Sequence, residues 1–166
     1  MSPSAGSISP GRGLWWGKLR TFALMGPERH LWVIAFTVGS LLGWLAVRCL
    51  RMRTLAGLLG ERQSTNGLCV RATPAQREKA WAIGQVMAAV GRNVPWECKC
   101  LAEALCVKWM LDRYRIPSVS FLGAHLDESD AKGMKAHAWL AVERKIVIGG
   151  RGSQAYGVTA VFLQTW

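Results

Sequence analysis

Negative charge is scarce in this chain. Asp and Glu together number 10 against 21 Lys and Arg, giving a formal net charge of +11 over 166 residues. An excess of that size points to an acidic partner or a membrane surface. It does not point to nucleic acid: the arginines are scattered, no recognised binding motif accompanies them, and the tryptophans cluster in apolar segments rather than beside basic stripes. Cysteine is present five times, an odd number. Neither its spacing nor a cleavable secretion signal suggests a disulfide framework, so the thiols read as reduced and the compartment as cytoplasmic. There is no internal repeat and no phosphate-cradling glycine loop, which sets aside repeat architectures and P-loop chemistry.

What the chain has in quantity is apolar surface. Hydrophobic residues make up 51% of it and nine residues are tryptophan, enough for one domain with a modest core. Residues 1–30 read as an arm, first rich in Ser, Gly and Pro (Met1–Gly13) and then basic and aromatic (Leu14–Arg20). Residues 31–60 read as an apolar helix. Its uncharged part, Leu31–Val47, falls just short of the roughly twenty residues that a membrane span needs. Trp32 and Trp44 near its ends, and Arg48, Arg51 and Arg53 after it, fit a membrane-associated helix with its C-terminal side in the cytosol. The alternative, favoured by the short length, is a core helix that is hydrophobic nearly all round.

Residues 61–74 are polar, contain Asn66-Gly67, and read as a linker. Thr73, Pro74 and Gln76 then form a helix start with Pro at the first position. Over Ala75–Val90 the residues Ala80, Ile83, Val86, Met87 and Val90 share one face, and Gly91-Arg92-Asn93 ends the helix. A core of residues 75–166 follows from this point.

Within it, Trp96–Gly150 carries the chemistry. Pro95 blocks a helix arriving from upstream. From Cys100 the apolar residues Leu101, Ala104, Leu105, Val107, Met110 and Leu111 recur at helical spacing, and Ile116-Pro117 closes the segment. Cys100 therefore stands in the first turn, where unpaired N–H groups and the helix dipole stabilise a thiolate and a developing oxyanion. Cys49, Cys69 and Cys106 read as small core residues. Cys98, just before the helix, reads as a resolving thiol or a packing residue. Downstream, Ser118–Gly123, Ala136–Val142 and Ile146–Ile148 read as strands, with a polar loop from Asp127 to Lys135, a turn at Glu143-Arg144-Lys145 and a last strand at Val158–Phe162. In the middle strand His137, Trp139 and Ala141 share one face and Ala136, Ala138 and Leu140 the other. A thiol at a helix start with an imidazole on a strand is the pairing a cysteine nucleophile and its base require. Two other classes compete: a membrane-anchored interaction protein with an incidental thiol, and a zinc protein using Cys98, Cys100, Cys106, His125 and His137. The last lacks the paired spacing of structural zinc sites.

Cys100-Leu101-x-x-Ala104-Leu105, Arg113-x-x-Ile116-Pro117, Gly123, Ala136-His137-Ala138-Trp139 and Gly149-Gly150, in that order, resemble the lasso-peptide biosynthesis B2 leader peptidases of the transglutaminase-like cysteine protease superfamily. The resemblance covers about Ala75 to Gly150 and continues toward Phe162, and the upstream segment ending in Arg53-x-Leu55-Ala56-x-Leu58-Leu59-Gly60 resembles the helix that opens these proteins. It implies an α+β fold in which the nucleophile helix packs on a small antiparallel sheet carrying the histidine. It also implies a cysteine endopeptidase, with Cys100 as nucleophile and His137 as base, that removes the leader from a ribosomally made precursor peptide without cofactor or metal. The partners implied are that precursor, a separate leader-binding B1 protein (no recognition domain precedes Leu31) and a lasso cyclase that takes the freed α-amine. One departure stands out. The acidic residue such proteins carry about a dozen positions after the histidine falls here at Ile148-Gly149-Gly150, so the third member near Gly149 is unassigned. A backbone carbonyl, a distant side chain such as Asp127, Glu128 or Asp130, or no third group at all are the options.

Overall fold

The computed structural model describes residues 26–63, 70–126 and 133–165. By its contacts the chain divides into Met1–Leu31 and Trp32–Trp166. Of the first unit, the described residues are the opening turns of a helix, where Gly26 O accepts from Arg29 N. Everything below concerns the second. Residues 64–69 with Cys69, residues 127–132 with the three loop carboxylates, and most of the N-terminal arm lie outside the described residues.

Among the described residues four helices and five strands build an α+β domain. Helix α1 runs Pro27–Cys49, α2 Met52–Gly57, α3 Pro74–Gly91 and α4 Cys100–Arg113. The strands are β1 Glu61–Gln63, β2 Ser118–Leu126, β3 Met134–Val142, β4 Lys145–Ile148 and β5 Gly157–Gln164, with a 3-10 turn at Ser153–Ala155. They form one antiparallel sheet in the order β1-β5-β2-β3-β4. Two differences from the sequence reading concern boundaries. Helix α1 begins at Pro27, inside the stretch read as an arm, as suits a residue with fixed φ and no N–H to lose at the first helical position. The supposed linker holds β1, three polar residues that pair with Leu163, Phe162 and Val161.

Local signals fix the helices. Thr73 caps α3 with a full capping box, its hydroxyl accepting from Gln76 N (3.2 Å) while Gln76 Oε1 accepts from Thr73 N (2.9 Å). The five residues assigned to the inner face of α3 are all buried. That face meets α4 through Val107, Met110 and Leu111 and the sheet through Leu140, Val142, Val147 and Ile148. A second cluster joins Leu55 and Leu59 to Leu101, Ala104, Ala138, Ala160 and Phe162. The helices therefore cover the sheet face that carries Ala138, Leu140 and Val142. The opposite face holds Val119, Phe121 and Val161 under Val70.

Cys49 is exposed at the end of α1, which corrects its reading as a core residue; Cys106 is buried as expected. The physical reason is that α1 packs on one side only, and its C-terminus passes beyond the domain's interior. Helix α3 lies against β4 at Gly84, where a Cβ would overlap the carbonyl oxygen of Val147. Backbone cannot yield there as a side-chain tip can. Gly84→Ala is expected to destabilise the fold by about 1–3 kcal/mol despite its gain in helix propensity, read by urea denaturation; an unchanged midpoint would contradict this packing.

Candidate active site

Cys100 is the first residue of α4 and is half-buried. The start of α4 differs from that of α3. Its N-cap, Lys99, makes no side-chain capping bond, and the opening backbone bond is Glu103 N to Lys99 O at 3.1 Å. The N–H groups of Cys100, Leu101 and Ala102 thus have no intrahelical acceptor, and Lys99 offers them no capping bond. The segment leading into the helix is held from outside: Trp96 Nε1 donates to Ser40 Oγ on α1 at 3.2 Å, and Ser40 Oγ donates to Thr37 O at 2.9 Å. At the far end Trp32 Nε1 donates to Tyr114 Oη at 2.9 Å. Helix α1 therefore grips both ends of the helix that carries Cys100.

His137 lies on β3, opposite Gly123 on β2, and is half-buried. Its Nε2 is 2.7 Å from the carbonyl oxygen of Gly149. A carbonyl only accepts, so Nε2 carries the proton and Nδ1 holds the lone pair. The ring packs against Trp139 (centroids 5.8 Å apart) and Tyr156 (5.0 Å), and Trp139 stacks in turn on Phe121 at 5.6 Å. Gly123 makes room for this group, since a Cβ there would sit 2.8 Å from the Trp139 ring and 2.9 Å from Tyr156 Cβ.

The carbonyl stands at the position where a carboxylate was to be expected, and the backbone explains the substitution. Gly149 has φ +75° and is pressed against β3, so that a Cβ would overlap Ala138 O and lie 2.9 Å from Trp139 Cα. No side chain fits, and the peptide oxygen itself reaches the imidazole. Glu143 is not a substitute. It accepts from Ala72 N and Arg77 Nη1, both at 3.0 Å, and those bonds hold its carboxyl below the usual range.

Helix α4 packs on β3, and Cys100 borders the cluster that contains Ala138, the neighbour of His137. The helix that carries Cys100 and the strand that carries His137 are thus in contact, but through Ala138 rather than through the imidazole. Cys100 and His137 are not hydrogen-bonded to each other here: the imidazole bonds Gly149 and shares its sheet face with Trp139, whereas Ala138 points toward the helices. Cys98 and Cys106 belong to the packing between α3, α4 and α1. Burial, reinforced by Glu103, pushes the Cys98 thiol up to about 11; burial, with Cys98 and Glu103, pushes Cys106 up to about 12. The same burial raises Glu103, against the lowering pull of Arg92. Among the described residues no group of three or more His, Cys, Asp or Glu side chains is placed to hold a metal ion. His125 sits apart from the cysteines, edge-on to Tyr156 at 5.9 Å. Sequence reasoning missed Tyr156; it offered a backbone carbonyl among the options for the third member, and the bond to Gly149 O is that option. The paired glycines at 149 and 150 were the available signal for the carbonyl; nothing in the sequence marked Tyr156.

A family profile described as the transglutaminase-like superfamily matches residues 43–161. The chain belongs to that superfamily, which includes cysteine peptidases. No curated protein and no solved structure matches it significantly.

Two outcomes follow. Gly149→Asp, which writes a carboxylate into the usual place, is expected to cost about 1–3 kcal/mol of stability from strain and overlap; a urea midpoint equal to the parent's would contradict the geometry. Cys98 at pH 8 is expected to react with iodoacetamide about a thousandfold more slowly than its fully ionised limit, with the rate climbing until about pH 11. A plateau near pH 8, followed by peptide mass spectrometry, would show that burial does not hold this thiol protonated.

Proposed function

We propose that this protein is a cysteine endopeptidase that removes the leader from a ribosomally made lasso precursor peptide. Cys100 is the nucleophile and His137 its general base. The observation that carries the reading is the bond from His137 Nε2 to the Gly149 carbonyl, because it fixes the tautomer a thiol partner needs. With Nε2 protonated, Nδ1 is the basic edge, and it takes the proton from Cys100 Sγ as the thiol attacks the carbonyl carbon of the leader–core junction. For this step the thiol and the imidazole must come together in the substrate complex, where catalytic hydrogen bonds are often first made. The oxyanion is met by the N–H groups at the uncapped start of α4, with the helix dipole behind them. Collapse breaks the C–N bond, His137 returns its proton to the leaving amine, and the core departs with a free α-amine. Water then attacks the thioester and releases the leader as a carboxylate.

A carbonyl in the third position orients the imidazole without adding negative charge, so it gives the imidazolium less support than a carboxylate would. Substrate choice in this reading rests on delivery. A separate leader-binding protein brings the precursor and raises its effective concentration at Cys100, and a cyclase consumes the freed amine. The superfamily and the order of motifs support the class of reaction; the lasso substrate rests on the motif resemblance.

The test is mass spectrometry of a candidate precursor incubated with the full chain and the leader-binding partner. Cys100→Ala is expected to abolish cleavage with circular dichroism and melting unchanged. His137→Ala is expected to lower it by about two to four orders of magnitude. Cleavage that survives Cys100→Ala overturns the proposal.

A further inference from the structure

Helix α1 is apolar on two opposite sides, and only one of them is used by the domain. Trp32, Phe36 and Ser40 are buried, and Phe36 is completely so. Gly39 and Gly43 lie on the same side, where a Cβ would stand 3.2 Å from Cys106 Sγ and 2.9 Å from Ala102 Cβ. Ile34, Val38, Leu41, Leu42 and Leu45 recur at the spacing of one helical stripe, about half a turn away from Phe36. All five are exposed, Ile34 and Leu42 to 59%. A stripe of five aliphatic side chains on one continuous helix is more than scattered surface apolarity.

We propose that this outer face of α1 docks the protein on an anionic lipid bilayer, with the helix lying in the membrane surface. This inference is independent of the peptidase reading. Three observations select the occupant. The helix is long and apolar enough to cross a membrane, but its inner face is committed to the domain. Crossing would pull Phe36 out of the core and break the bonds from Trp96 to Ser40 and from Trp32 to Tyr114. A helix fixed in this way enters a bilayer only along its free side. A second copy of the chain is opposed by charge, because each copy carries +11. The end of the stripe has the chemistry of a lipid headgroup zone. The Arg48 guanidinium lies over the Trp44 ring, 4.5 Å from its centroid, and Arg51 is exposed just beyond. Tryptophan at the level of the headgroups and arginine against lipid phosphates is the arrangement that holds interfacial helices.

Flotation of the full chain on vesicles tests this. With vesicles of equal parts phosphatidylcholine and phosphatidylglycerol it is expected to float with the lipid, and with phosphatidylcholine alone to remain below. Binding is expected to weaken at least about tenfold between about 0.1 M and about 1 M salt, and alkaline carbonate is expected to release the protein. Leu41→Ser with Leu45→Ser should weaken binding about tenfold or more, their side chains being exposed and outside the core. Should that variant melt early, Arg48→Glu with Arg51→Glu carries the same expectation without touching the stripe. Absence of flotation on the anionic vesicles, resistance to carbonate, or a dimer in solution that the Ser substitutions dissolve would each overturn the proposal. The last two would assign the face to a spanning helix and to a second copy.

Discussion

The closeness with which other elements approach α4 is the constraint on which the rest of this structure depends. Ala102, with no exposed surface, faces Gly43 of α1. Ala104, nearly as buried, faces the strands through Ala138 and Ala160. Small residues at these places let a helix be packed on three sides, between α1, α3 and the sheet, without an intervening layer of large side chains. The bonds from Trp96 to Ser40 and from Tyr114 to Trp32 then fix where the helix begins and ends. The position of Cys100 is a consequence of that packing and not of any capping residue of its own.

A second consequence concerns the imidazole. The turn after β4 is drawn so tightly against β3 that position 149 admits only glycine. The cost is that no carboxylate can stand at the place where the motif resemblance led one to be expected. The gain is a peptide oxygen held rigidly by the backbone, which orients the ring by one bond of 2.7 Å. Trp139 and Tyr156 both pack on the ring, so its orientation is set by aromatic contacts as well as by hydrogen bonding. Three elements distant in sequence, β3, the β4 exit and the residue before β5, converge on one side chain.

Much of this was legible in the residues. The inner face of α3, the start of α4 at Cys100, and the middle three strands follow from periodicity, from Pro95 and from the Thr73-to-Gln76 spacing, because each is a local rule with a local cause. The α+β class came from the family resemblance, and the order of those elements agreed with it. Other features were not legible, for identifiable reasons. Strand β1 is three polar residues with no alternation to detect, and it exists because β5 offers it an edge. The Gly149 contact is made by backbone, which side-chain patterns do not report. Helix α1 is apolar on both sides, so its sequence cannot distinguish a helix buried all round from one with a free outer face. Cys49 was misjudged for the same reason.

The central claim is that sulfur 100 is served by imidazole 137. Alkylation of the full chain by iodoacetamide at neutral pH, mapped cysteine by cysteine, tests it most directly. The account predicts that Cys100 is modified ahead of Cys98 and Cys106, and that its rate falls about tenfold or more in His137→Ala. A Cys100 rate that is unchanged by loss of the imidazole would contradict it.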